Sequence, residues 1–209
     1  MANTTNTVLL STAYLPPIEY FYYLFKSEHI IIEQLETYPK QSYRNRCEIL
    51  TGNGKLSLSI PVRKVNGNHT LSKDIALFNE DKWQLNHWRA IQVAYSASPF
   101  LLYYEDELEC FFTQEHNNLL EFNLGITKTL CSLIGFKPEI SLAKTFEKNP
   151  NNCLDLRNSI SPKKPSTIDH FSAYIQVFSD RYPFISNLSI IDLLFNLGPE
   201  TGEYLRKLQ

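Results

Sequence analysis

The chain has 209 residues, of which 43% are hydrophobic and 20% charged, with a formal net charge of −2. This is ordinary globular usage with enough length for a sizeable core. It excludes a chain that binds polyanions through its overall charge, and leaves open only a local basic patch. Cys47, Cys110, Cys131 and Cys153 have no CxxC spacing, so they read as reduced, mainly apolar core residues in a cytoplasmic protein rather than as a zinc or redox site.

The first 17 residues lack a basic start and a long apolar stretch, so no signal peptide is expected. No apolar run approaches the ~18 residues of a spanning helix. Thr7 to Ala13 reads as a buried strand. Pro16 and Pro17 suit the first turn of a helix over Ile18 to Ser27. The β-branched run from His29 to Ile32 reads as a second strand. Strand, helix and strand in such short order begin a parallel α/β layer. The period then changes. Cys47–Leu50 and Lys55–Val62 flank Thr51-Gly52-Asn53-Gly54, whose Asn-Gly pair marks a hairpin turn. Lys64 to Thr70 is a polar loop, and Ser72 to Phe78 reads as a further strand.

The middle of the chain has helical spacing. Trp88, Ile91 and Tyr95 recur at three and four residues within a predicted helix from Glu80 to Ser98, ended by Pro99. Glu105–Phe112 and Asn118–Ile134 are further helices, the second stopped by Gly135. Ser141 to Ser166 is rich in Asn, Pro and Ser and reads as a long connection with at most short strands. Ser189 and Gly198 bracket a last helix over Ile190–Leu197. The expectation is one domain over 1–209. A sheet-forming part covers 1–78, a helical part 79–140, a long connection 141–170 and a C-terminal helical part 171–209. The fold class is α/β, with a mixed, mostly parallel sheet of Rossmann-like start, an antiparallel hairpin and a helical second half.

Four segments carry a family resemblance. They are Tyr14-Leu15-Pro16-Pro17 with Tyr20-Phe21; Lys40-Gln41-Ser42-Tyr43-Arg44-Asn45-Arg46 with Ile60-Pro61-Val62; Trp83, His87-Trp88, Tyr95 and Ser98-Pro99-Phe100; and Tyr174–Phe178 with Asn187–Pro199. Together, and in this order, they resemble the WbqC-like protein family. The sequence departs from that pattern at Pro17, where a tryptophan often follows the first proline. It also has Glu33 and Glu36 near a place where aspartates are usual, so no acidic metal site is carried over. The resemblance implies a bacterial protein of surface-polysaccharide (O-antigen) or related biosynthesis, with transferase chemistry if it is an enzyme.

Several residues can carry chemistry. Arg44 and Arg46 would share one face of an extended segment, and two guanidinium groups there can clamp a phosphate or carboxylate. The plainer reading pairs each with a protein carboxylate. Gln41, Tyr43, Asn45 and Tyr14 can orient the same ligand. His87 suits a general base by its reference pKa, or else is a hydrogen-bonded packing residue beside tryptophans. Asp192 reads as a stabiliser of its helix N-terminus. The turn after the first strand offers a helix N-terminus to an anion in the manner of nucleotidylyltransferases, although Pro16 and Pro17 remove two donors.

These expectations define an enzyme of transferase type with His87 in a catalytic role and an anionic or nucleotide-linked small-molecule substrate. No metal, nucleic acid or membrane insertion is expected. The cofactor and oligomeric state are left open. The alternatives are a non-catalytic scaffold of a glycan-biosynthesis pathway and a nucleotidylyltransferase-like nucleotide binder.

Overall fold

The computed structural model describes residues 6–208; residues 1–5, the start of the stretch read for a signal segment, lie outside them. Strand β1 (Thr7–Ser11) leads through helix α1 (Ile18–Lys26) to β2 (His29–Glu33). The two strands pair in parallel from Thr7↔His29 to Ser11↔Glu33. The run of apolar and β-branched residues explains both strands, because a parallel strand is covered on both faces. Val8, Leu10, Ile30 and Ile32 are essentially inaccessible and join the core with Ile18, Phe21 and Leu24 of α1.

The sheet is completed from far along the chain. Strand β7 (Glu139–Leu142) adds to β2, and the two-residue β8 (Leu154–Asp155) adds to β1, both in parallel. The order is β7-β2-β1-β8. Renumbered within the sheet this is 3-2-1-4, the order of doubly wound domains, and it reverses direction at β1. The stretch expected to be a long connection with at most short strands therefore supplies β8 and the second half of β7, the two edges of the central sheet.

Between β2 and β7 lies an insertion. Strands β3 (Arg46–Thr51) and β4 (Gly54–Ser59) form the hairpin, with Gly54 at φ +94°. The strand expected from Lys55 to Val62 is interrupted. Pro61 cannot donate to a ladder, and the chain resumes as β5 (Val62–Lys64), which pairs with β6 (Ile75–Leu77) instead. Three helices follow: α2 (Trp83–Tyr95), α3 (Leu101–Thr113) and α4 (Leu119–Ile134). The helix predicted from Glu80 starts later because Lys82 takes a left-handed conformation at φ +47° and breaks it from the turn before. Helix α4 has both expected ends. Asn118 caps it by accepting from the Glu121 N–H, and Gly135 closes it at φ +94°. Helices α5 (Ile190–Leu197) and α6 (Thr201–Lys207) end the fold.

The four resembling segments meet around the turn after β1. Ser189 forms a bridge with Pro17 and donates its hydroxyl to the Leu15 carbonyl at 2.8 Å. The Tyr14 N–H donates to the Tyr43 carbonyl at 2.8 Å. Leu15, buried at φ +38°, holds a backbone conformation that is costly for a residue with a Cβ, and these bonds from two distant segments hold it there.

Candidate functional site

In open parallel sheets, ligands bind outside the carboxyl ends of the strands where the strand order reverses. Here that place lies beyond β1 and β8. It is occupied by a buried network of charges. The Arg44 guanidinium grips Glu36 in a forked pair, Nε to Oε1 at 2.7 Å and Nη2 to Oε2 at 2.8 Å. Its Nη2 also donates to the Ser11 hydroxyl, which donates in turn to the Arg157 carbonyl at 3.1 Å. Arg157 donates from Nη1 to Glu33 at 3.0 Å and from Nη2 to Asp155 at 2.7 Å. Both arginines are 4% exposed, and Glu33 is 1% exposed. The hydrogen bonds from Arg157 hold the Asp155 carboxyl below the usual carboxylate range, and Asp155 in return raises the Arg157 guanidinium.

The local sequence explains this placement. Glu33 and Ser11 close the two strands, so their side chains project together at the sheet's end. Residues 40–45 form turns rather than extended chain. Arg44 therefore points inward while Arg46 begins the hairpin, and the two do not share a face.

Two cavities adjoin the network. One, of about 190 Å³, lies over the sheet face formed by Leu9 and Ile31, with Glu33, Lys144, Glu147 and Cys153 around it. The other, of about 330 Å³, is bounded by Glu36, Thr37, Phe146, Lys148, Arg157 and Asn158. Both are roofed by the connection from β7 to β8. Arg157 lines the larger one, its guanidinium 5.4 Å from the Phe146 ring centre and bonded to the Lys148 carbonyl. Among the described residues, no group of three or more His, Cys, Asp or Glu side chains is placed to hold a metal ion.

The seven residues singled out in the sequence fall into different surroundings. Tyr43 and Arg44 line a water-sized void of about 10 Å³ with Ser11, Thr12 and Arg157. Tyr14 and His87 lie in an aromatic nest with Trp83 and Phe122, the Tyr14 hydroxyl 3.0 Å from His87 Nδ1. Burial pushes the His87 imidazole down to about 4, with a backbone hydrogen bond to Ser59 working the other way. Its ring is thus neutral near pH 7, and the protonated phenol of Tyr14 is the donor to Nδ1. Asn45 donates to the Ile60 carbonyl at 2.8 Å and Arg46 to the Ser59 hydroxyl at 3.1 Å, so both pin the base of the hairpin. Gln41 is exposed at φ +56°. The sequence reading missed Arg157 and Asp155, and noted Glu33 and Glu36 only as departures.

One further expectation changes, and the surroundings of Asp192 become visible. The start of α1 offers no free donor to an anion: the Ile18 N–H goes to the Leu188 carbonyl and the Glu19 N–H to the Asn187 side chain. The buried Glu19 carboxylate also stands there, accepting from Thr167 and Asn187. Asp192 lies in the first turn of α5, and it is 1% exposed. It accepts from Tyr95, Tyr174 and Gln176, and burial raises its carboxyl while those bonds oppose the shift.

No described helix is long and apolar enough to cross a membrane. No solved structure matches the chain. It is 28% identical to a protein of Mycobacterium tuberculosis (strain ATCC 25618 / H37Rv), "Uncharacterized protein Rv1507c", over 95% of this chain and 96% of the other. The WbqC-like protein family matches residues 12–167, a span that begins just after β1 and holds β2, the hairpin, helices α2 to α4 and the arginines and carboxylates of the charge network; the chain belongs to that family.

Proposed function

We propose that the protein is a transferase-type enzyme that binds an anionic or nucleotide-linked small molecule at the carboxyl edge of its parallel sheet, in the cleft bounded by Arg157 and Lys148, and that it serves surface-polysaccharide or related biosynthesis. One observation carries the reading: two arginines and their carboxylates are buried together where the strand order reverses. Burying such ions costs several kcal/mol each and seldom stabilises a fold better than apolar packing would. Charge clusters of this kind at a cleft are candidates for binding and chemistry. The Arg157 guanidinium is committed to Asp155, Glu33 and the Lys148 carbonyl and forms a wall of the cleft, while Lys148 and Asn158 supply a cation and a polar group at the rim. Ser11, Glu33, Glu36 and Arg44 fix that geometry from behind. In this reading His87 and Tyr14 position the chain around the turn after β1 rather than meet substrate.

The test is thermal unfolding of the purified protein over nucleotides, nucleotide sugars and acyl donors. A ligand at ~100 times its Kd adds roughly 2.7 kcal/mol. The expected outcome is stabilisation by a phosphate-bearing compound in the wild type and its loss in Lys148→Met, whose unliganded melting temperature is unchanged. Stabilisation by none of them would remove the substrate reading and leave a non-catalytic scaffold as the better account.

A further inference from the structure

Of the chain's 13 phenylalanines, Phe146 alone is exposed, at 51%. It does not stand on open surface but lines the larger cleft, of about 330 Å³. Two segments make that cleft: one brings Leu35, Thr37 and Pro39, the other Phe146, Lys148 and Asn158. The Arg157 guanidinium lies over one face of the Phe146 ring, 5.4 Å from its centre. It is itself held by Asp155, Glu33 and the Lys148 carbonyl, so the ring has a fixed support. An exposed aromatic ring backed in this way offers a stacking surface to a second flat ring. The half-buried Leu35 and Pro39 add apolar wall to the same cleft. The charges there leave one cation over. Glu36 is paired with Arg44, and Arg157 with Glu33 and Asp155, whereas Lys148 has no carboxylate partner among the described residues.

Phe146 and Lys148 both line this cleft, while Glu147 between them lines the smaller cavity. The side chains therefore alternate as in extended chain, which sets the ring and the lysine about 6–7 Å apart along the segment. A ligand that meets both has a flat aromatic group, an anion and a short spacer between them. We propose that the cleft holds a nucleotide by its base as well as by its phosphate, with the base stacked on Phe146 beside Leu35 and Pro39 and the phosphate on Lys148. Thr37 and Asn158 are exposed, and among the described residues their side chains make no hydrogen bond, so both are available to the ribose hydroxyls or the base edge. This rests on the reading of the cleft as an anion site and deepens it, because a plain anion or a sugar phosphate leaves the ring uncovered. The volume lies within the range of small-molecule sites.

The experiment compares ligands that differ only in the base. Full-length, isotope-labelled protein is titrated with AMP, UMP and ribose 5-phosphate and followed by amide NMR at Phe146, Lys148 and Asn158. Stacking of a base on an aromatic side chain corresponds to roughly 5–150-fold in affinity. At least one nucleotide should therefore bind about tenfold or more tightly than ribose 5-phosphate. Phe146→Leu should erase that preference and leave ribose 5-phosphate unchanged, whereas Phe146→Tyr, which keeps the ring, should retain it. Lys148→Met should weaken all three ligands. Phe146 is exposed, so leucine there spares the fold, as the unliganded melting temperature checks. Equal affinity of both nucleotides and ribose 5-phosphate in the wild type overturns the base contact. A preference that survives Phe146→Leu overturns it as well. Either result spares the anion site so long as ribose 5-phosphate still binds through Lys148. No saturable response to any of the three ligands overturns both readings together.

Discussion

Arg44 and Arg46 are two residues apart, yet their side chains live in different solvents. Arg44 is enclosed and makes a forked pair with Glu36, whereas Arg46 is partly exposed with one hydrogen bond across the hairpin. Lysine keeps the charge and loses the fork. Arg44→Lys should therefore cost about 1.5–3 kcal/mol, the scale of hydrogen bonds to a charged group, because Glu36 and Ser11 are left short of donors in a buried place. Arg46→Lys should stay within about 0.5 kcal/mol, as surface changes usually do. Urea unfolding of the two variants beside the wild type measures both, and equal losses would mean that the Arg44 pair adds no stability. The residue types at the site were legible in part. Arg44 stood inside a motif, and its pairing with a carboxylate was the plainer of its two readings. Arg157 stood in none. A lone arginine in a stretch of Asn, Pro and Ser carries no periodic signal, and its partner Glu33 is 124 positions away. The available hints were local: Asp155 two residues before it, and a glutamate closing the run Ile30-Ile31-Ile32, where an unpaired carboxylate would be too costly to bury.

Among the elements, those specified by neighbouring residues were readable and those specified by distant partners were not. The strands β1 and β2, the Asn53-Gly54 hairpin and the ends of α4 each follow from a few adjacent side chains, whereas Ser189 before α5 makes no capping bond and gives its hydroxyl to the Leu15 carbonyl. Strand β8 has two residues and exists because β1 offers it an edge, so no pattern in its own sequence announces it. The two helix-ending glycines separate two physical effects. Gly135 has φ +94° and nothing within 4 Å of where a Cβ would stand. Gly198, which ends α5, has φ +52°, and a Cβ there would lie 2.6 Å from the Phe100 ring. Gly135→Ala should cost only the left-handed conformation, about 1–2 kcal/mol. Gly198→Ala should cost that plus a further ~1–3 kcal/mol, because the half-buried Phe100 ring must move away. Phe100→Leu in the Gly198→Ala background should recover part of the second loss, as differential scanning calorimetry would show. If the two single substitutions cost the same, the Phe100 contact is not what requires glycine at 198.

At the scale of the whole molecule, the helical insertion between β2 and β7 is fastened to the sheet by polar as well as apolar contacts. Asn123 of α4 is fully buried and donates to the Thr12 hydroxyl at 3.1 Å and to the Arg44 carbonyl at 2.7 Å. Tyr95 of α2 reaches Asp192 of α5, and one continuous core includes Leu10, Trp88, Ile126 and Leu205. A buried amide or carboxylate released from such bonds costs about 1–3 kcal/mol. Neither the sheet nor the helices can therefore separate without exposing orphaned polar groups along with apolar surface. The chain should unfold as one unit although its sequence reads as a sheet-forming part followed by helical parts. Its two tryptophans, Trp83 and Trp88, both belong to α2, so their fluorescence follows the insertion. Amide exchange at Leu10 and Ile30, which lie at the centre of the parallel sheet, follows the other part. The expected result is the same free energy of opening from both probes, with coincident denaturant midpoints. A tryptophan transition that precedes the loss of protection at Leu10 would show the insertion melting off an intact sheet. In that case the Asn123 bonds, and not only the packing, would have to be weaker in solution than their geometry implies.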